Sequence, residues 1–167
     1  AILTVVGQSG ISTRNVVLGL PSQKTFTTVV EVPITNDSEL ASLMKYQVDK
    51  QDRYAIFSLE EKNLNSLIAP QLKSEFVFLR NEGVRNLIFD MGDVDYVDSS
   101  GLSSILTANR IWKDYGSFVM TNIKSDSIHK LIEISKLDGI LTIIPTIEES
   151  VEFVFMEDLE RDLSEEE

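Results

Sequence analysis

Short apolar runs alternate along this chain with stretches whose apolar residues recur every three or four positions, the pattern of strands interleaved with helices. Tyr46 to Val48 and Tyr54 to Leu59 are β-like runs on either side of the turn-prone Asp49 to Arg53, which predicts an antiparallel pair. Leu67, Ile68, Leu72, Phe76 and Leu79 have helical spacing, Pro70 is tolerable in a first turn, and Gly83 would close the helix. Leu87 to Phe89 is apolar at every position, as a strand covered on both faces requires. A second helix with Leu102, Ile105, Leu106 and Trp112 inward should end at Gly116, and a strand from Phe118 to Met120 should follow. Ile128, Leu131, Ile132 and Ser135 mark a third helix, Leu141 to Ile144 a last strand, and Val151, Val154, Phe155 and Leu159 the inward side of a final helix. Strands and helices alternating with short links predict an α/β fold: a mixed β-sheet with an antiparallel opening pair, later parallel strands and about four helices.

Composition narrows the class of protein. The 167 residues, 43% hydrophobic and 25% charged, allow one domain with an appendage. No apolar stretch approaches the roughly 18 residues that cross a bilayer, and AILTVVGQSG lacks the basic flank of a secretory signal, so the expectation is a cytoplasmic protein with no direct membrane insertion. Without cysteine there can be no disulfide, thiolate nucleophile or cysteine-held metal. The net charge of −12 argues against nucleic acid and anionic membrane surfaces as partners. From Glu148 onwards there are ten acids and one base, Arg161. That composition fits a solvated helix face running into an acidic tail over residues 159–167, or a docking tail for a basic partner.

The candidate chemistry lies in IFDMGDVDYVDSSGL, residues 88 to 102, where an apolar strand ends at Asp90 and a short acidic loop leads to a helix. A helix start offers unpaired N–H groups and the positive end of the helix dipole, a natural seat for an anion. Two readings of Asp98 and Ser99 follow: either is a good N-cap, and Ser99 is also placed to carry a phosphate of about −1.5 to −2 charges.

Catalytic readings find little support. Asp93, Asp95 and Val97 copy the DxDxV pattern of aspartate-nucleophile phosphatases, yet the first Asp is not at a strand tip and the accompanying motifs are missing. A receiver-type phosphoacceptor would need a Lys where Pro145 stands. The sole histidine, His129 on the third helix, reads as a surface residue rather than a general base, and there is no Gly-rich phosphate loop with a following Lys. The spacing of Trp112 from Leu102, Ile105 and Leu106 places it in the core.

The stretch ending in DSSGL resembles the signature of the STAS domain family, best known from bacterial anti-sigma factor antagonists. ANRIWKDYGSFVMTNIKSDSIHKLIEISKLDGILTIIPTIEESV downstream and MKYQVDKQDRYAIFSLEEKNLNSLIAPQLKSEF upstream are similar to the family as well, so the resemblance spans residues 44–158. Ser103 stands where many members have Gly, and Asn65 where an Asp is common, within the partner-facing loop from Glu60 to Ala69. The resemblance implies a non-enzymatic switch that binds a serine-kinase anti-sigma factor and so releases a sigma factor for transcription. It further implies Ser99 as the phosphorylated residue, with Ser100 as fallback, and a Ser/Thr phosphatase that resets it. Asp93, Asp95, Asp98, Ser99, Ser100 and Gly101 would face the partner, with Gly101 allowing close approach. No cofactor, metal or catalytic residue is implied. STAS domains also serve lipid-transport ABC systems and anion transporters, so the alternative assignments are a subunit of a membrane transport complex or a phosphorylated STAS protein of another signalling complex. Residues 1–43 lie outside the resemblance; their β-prone pieces leave open a packed hairpin, a strand for a partner or homodimer, and an extension from an upstream start.

Overall fold

A turn over residues 51–53 folds the first strand back on the second, and the rest of the sheet grows from that pair by crossovers. The computed structural model describes residues 44–165, and the expectations for residues 1–43 fall outside them. Within that span the elements are β1 (Tyr46–Lys50), β2 (Ala55–Leu59), β3 (Asn63–Leu64), α1 (Ala69–Asn81), β4 (Asn86–Asp90), β5 (Tyr96–Val97), α2 (Ser99–Trp112), β6 (Ser117–Thr121), α3 (Asp126–Ile134), β7 (Thr142–Ile144) and α4 (Ile147–Glu165). The main sheet has the order β1-β2-β4-β6-β7. Only β1 and β2 run antiparallel, with Tyr46 opposite Leu59 and Lys50 opposite Ala55; β2, β4, β6 and β7 are mutually parallel. This is the α/β architecture that the pattern of apolar positions predicts.

Alternation along the strands splits the core in two. Phe57, Leu87, Phe89, Phe118 and Met120 join the larger core with Leu72, Phe76, Ile105 and Trp112 from α1 and α2. Ile88 and Val119, one position out of phase, meet Val154 of α4 on the other face. This two-sided demand explains why the middle strands carry no polar alternation. In the larger core Phe76 packs edge-on against Phe89 at 5.4 Å and Trp112 at 6.2 Å, while the Trp112 Nε1–H donates to the Val84 carbonyl at 3.1 Å. On the edge strand β1, Tyr46 stacks on Phe57 at 4.8 Å, and burial followed by the nearby Glu75 carboxylate pushes its phenol above the ordinary tyrosine range.

Gly83 ends α1 as expected. Its φ is 88°, the Gly83 amide donates to the Arg80 carbonyl, and the Val84 amide donates to that of Leu79, each at 3.1 Å. A Cβ on Gly83 would meet nothing within 4 Å, so substitution tests backbone conformation alone. Gly83→Ala should lower stability by about 1 kcal/mol, read as an earlier urea midpoint with an unchanged slope.

Three expectations need correction. Leu67 does not belong to the buried stripe of α1: it precedes the helix and is 73% exposed. Phe155 and Leu159 do not face inward either, being 46% and 60% exposed, whereas Ser150, Val154 and Asp158 take the inner side of α4. Residues 159–165, read from composition as tail, continue this helix.

Polar groups fix α4 at the amino ends of the strands. Asp158, only 1% exposed, accepts a hydrogen bond from Arg161 at 3.1 Å and pairs with Arg85 at 3.5 Å and Arg53 at 3.8 Å. Arg161 also donates to Ser117 Oγ at 2.6 Å and to Asn86 Oδ1 at 3.3 Å. Buried Asn86 in turn donates to the Arg53 carbonyl at 2.8 Å and accepts from the Ser117 amide at 3.0 Å.

Candidate functional site

Asp98 organises the junction between the acidic loop and α2. Its backbone is still extended (φ −92°, ψ −176°), as is usual for an N-cap, and its Oδ1 accepts from the Gly101 amide at 2.8 Å. The other oxygen accepts from the Ser66 amide at 3.2 Å, while the Asp98 amide donates to the Leu64 carbonyl at 3.1 Å. One carboxylate therefore joins two segments: the first turn of α2 and the loop that leads into α1. In that loop Asn65 Oδ1 accepts from the Leu67 amide at 3.0 Å, so the asparagine at this position forms a side-chain turn of its own.

The two-residue strands β3 and β5 pair in parallel, Asn63 beside Tyr96 and Leu64 beside Val97, and bring the loops together. Neither was expected, since two residues are too few to show a period. The pairing places exposed Leu67 and the 51% exposed Tyr96 on the two segments that meet at Asp98. Neither shows as a surface residue in the sequence: the spacing of Leu67 fits the buried stripe of the helix that follows it.

With Asp98 committed to capping, Ser99 becomes the first residue of α2 and is exposed, whereas Ser100 is half-buried. The backbone amides of these two residues lie in the turn that has no intrahelical acceptors. Gly101 lies in the first turn of α2. It is buried, and a Cβ there would lie 2.4 Å from the Leu64 carbonyl oxygen and 2.7 Å from Leu64 Cγ. Within the described fold this glycine permits a close approach between α2 and β3. Leu102 is half-buried against the larger core, and exposed Ser103 accepts a hydrogen bond from Lys73 at 3.1 Å.

The acidic residues of the motif are in four different settings. Asp90 accepts from Ser58 at 3.1 Å and from the Gly92 amide and Asn122 at 2.9 Å each, which ties the carboxyl ends of β2, β4 and β6 together. Asp93 is exposed. Asp95 is exposed, 3.8 Å from Lys62, and its carbonyl accepts from Ser125 at 2.7 Å. Asp98 caps. Among the described residues no group of three His, Asp or Glu side chains is placed to hold a metal ion. His129 is exposed, with its Nε2 3.0 Å from the Ile123 carbonyl. Nor is any helix in the described region long and apolar enough to cross a membrane.

A mixed sheet with an antiparallel first pair, and a serine opening a helix beside the carboxyl ends of parallel strands, fit an α/β domain of the STAS type. The family model for the STAS domain matches residues 45–150, and the chain belongs to that family. It is 33% identical over 103 residues, 61% of this chain and 84% of the relative, to a Bordetella bronchiseptica protein named as a candidate anti-sigma factor antagonist, BtrV. Its fold is similar to the crystal structure of an anti-sigma factor antagonist from Mycobacterium paratuberculosis, with TM-score 0.61 at 17% identity, covering 68% of this chain and 95% of that one. The anti-sigma factor antagonist SpoIIAA of Bacillus is similar in its unphosphorylated form, with TM-score 0.57 at 19% identity over 66% of this chain and 96% of the other. Its phosphorylated form gives TM-score 0.53 at 20% identity, over 66% and 99%.

Proposed function

We propose that this chain is an anti-sigma factor antagonist: it binds a serine-kinase anti-sigma factor while Ser99 is unmodified and lets go once Ser99 carries a phosphate. The observation that carries this reading is the division of labour at the start of α2, where Asp98 supplies the cap and leaves the adjacent Ser99 hydroxyl exposed. Half-buried Ser100 is the poorer acceptor. The naming of the relatives as anti-sigma factor antagonists, and the fold shared with a protein solved in both phosphorylation states, support it.

The switch is local electrostatics. Docking would bury Ser99 together with Leu67 and Tyr96, whose exposed apolar surface supplies the attraction. A phosphate adds charge beside Asp93, Asp95 and Asp98, and a partner matched to the unmodified surface must then desolvate a dianion without a counter-ion. Within the lone domain the same charge sits at the positive end of α2, so the fold tolerates what the interface does not. A Ser/Thr phosphatase would restore binding, and cytoplasmic residence follows from such partners.

The test is a pull-down from native-host lysate with Ser99→Ala and Ser99→Asp baits, read by mass spectrometry. A kinase-type anti-sigma factor should be held by the Ala bait and lost at least tenfold from the Asp bait, about 1.4 kcal/mol or more, with both variants melting like the parent. A transporter subunit held equally by both baits would overturn the switch and favour a scaffold in a transport complex. So would a Ser99→Asp variant that fails to fold.

A further inference from the structure

The outer face of α4 is apolar without being covered by the described fold. Phe155, Met156, Leu159 and Leu163 are 46%, 64%, 60% and 59% exposed, and Met156, Leu159 and Leu163 follow the three-and-four spacing of a helix-packing seam. The seam is about 12 Å long from Phe155 to Leu163, two to three helical turns. It lies beyond residue 150, where the STAS match ends. The helix is held by its other side, through Val154 and the Asp158–Arg161 cluster; at the border of the seam Phe155 meets Tyr54 edge-on at 5.8 Å, and Met156, Leu159 and Leu163 stay exposed.

The charge around the seam specifies its occupant. Glu148, Glu149, Glu152, Glu160 and Glu165 are exposed on α4, and its only base, Arg161, is turned toward Ser117 and Asn86. Two copies of such a face would bring like charges together, and an anionic bilayer would repel it; surface-lying helices that bind such bilayers carry Lys and Arg on the polar side. We propose that this face docks an amphipathic helix of a partner protein, with an apolar stripe flanked by Lys and Arg. Apolar side chains of that helix would pack between Phe155, Met156, Leu159 and Leu163, and its cations would meet the glutamate rim. The proposal stands apart from the Ser99 switch.

Its test is a titration of the isotope-labelled full chain with a Leu/Lys amphipathic peptide of about 18 residues, long enough to hold a helix once docked, and with a scrambled peptide of the same composition. The amphipathic peptide should move the resonances of residues 155–163 saturably. Leu159→Gln with Leu163→Gln should weaken it at least tenfold, and Glu152→Gln with Glu160→Gln should weaken it and flatten its salt dependence, with the parent melting curve kept in both. No saturable binding, equal binding of the scrambled peptide, or undiminished binding by the Leu double variant would overturn the proposal. A dimer of the full chain that occupies this face and is abolished by the Leu double variant would overturn it too, assigning the seam to a second copy.

Discussion

Asp158→Ala is expected to cost about 3 kcal/mol of stability and to loosen α4 before the sheet. Removing one partner from a buried ion pair typically costs about 3–5 kcal/mol, because the remaining charge stays desolvated. The lower figure applies because the arginines keep some solvent, with side-chain exposures of 27% for Arg161, 35% for Arg85 and 53% for Arg53. They also keep second partners, since Asp162 still pairs with Arg85 and Arg53, and Glu157 with Arg161. What they lose is the carboxylate that joins them beneath the start of β4 and β6. Amide exchange in α4 should therefore accelerate more than in β4. The 41% exposed Asp162 serves as comparison, and Asp162→Ala should cost less than about 1 kcal/mol. Equal effects from the two substitutions would mean that burial at Asp158 contributes nothing.

Gly101→Ala is expected to cost about 3 kcal/mol, a fall of about 10 °C in melting temperature, and to damage the Ser99 junction with it. The added Cβ would lie 2.4 Å from a backbone oxygen, which cannot swing away as a side chain can. That oxygen, on Leu64, accepts from the Asp98 amide at 3.1 Å, so relief at Gly101 displaces the residue that caps α2 and holds Ser66. Thermal unfolding measures the first effect, and the amide resonances of Ser66 and Asp98 report the second. Gly139→Ala, with no neighbour within 4 Å of the added Cβ, should stay within about 0.5 kcal/mol of the parent. A Gly101→Ala variant as stable as that one would refute the close approach.

The residues that were easy to read are those whose environment is set by their own segment. Leu87, Ile88 and Phe89 announce a strand covered on both faces because burial on two sides removes polar alternation. Gly83 announces a helix end, and DSSGL a helix start. Harder positions depend on distant parts of the chain. Asp158 and Ser150 lie inward on α4 because Arg53, Arg85 and the Thr146 carbonyl satisfy them, so a search for apolar spacing selects Phe155 and Leu159 instead. The pairing of Leu64 with Val97 depends on two segments more than thirty residues apart, and with it the internal role of Gly101. At the candidate site, residue types pointed to Ser99 and Asp98, while the neighbours Leu67 and Tyr96 emerged only from the joined loops.

The two-faced sheet has a consequence for traffic through this domain. Ser99 opens a helix packed on one face, and the α4 seam belongs to the helix on the other. Helix-to-sheet and sheet-to-helix spacings of about 10 Å each separate the two helices, beyond the roughly 8 Å over which salt lets a surface charge be felt. The sheet would thus insulate the proposed α4 dock from a charge at Ser99. On the proposed readings, a protein moored at α4 would stay aboard while Ser99 is modified and restored.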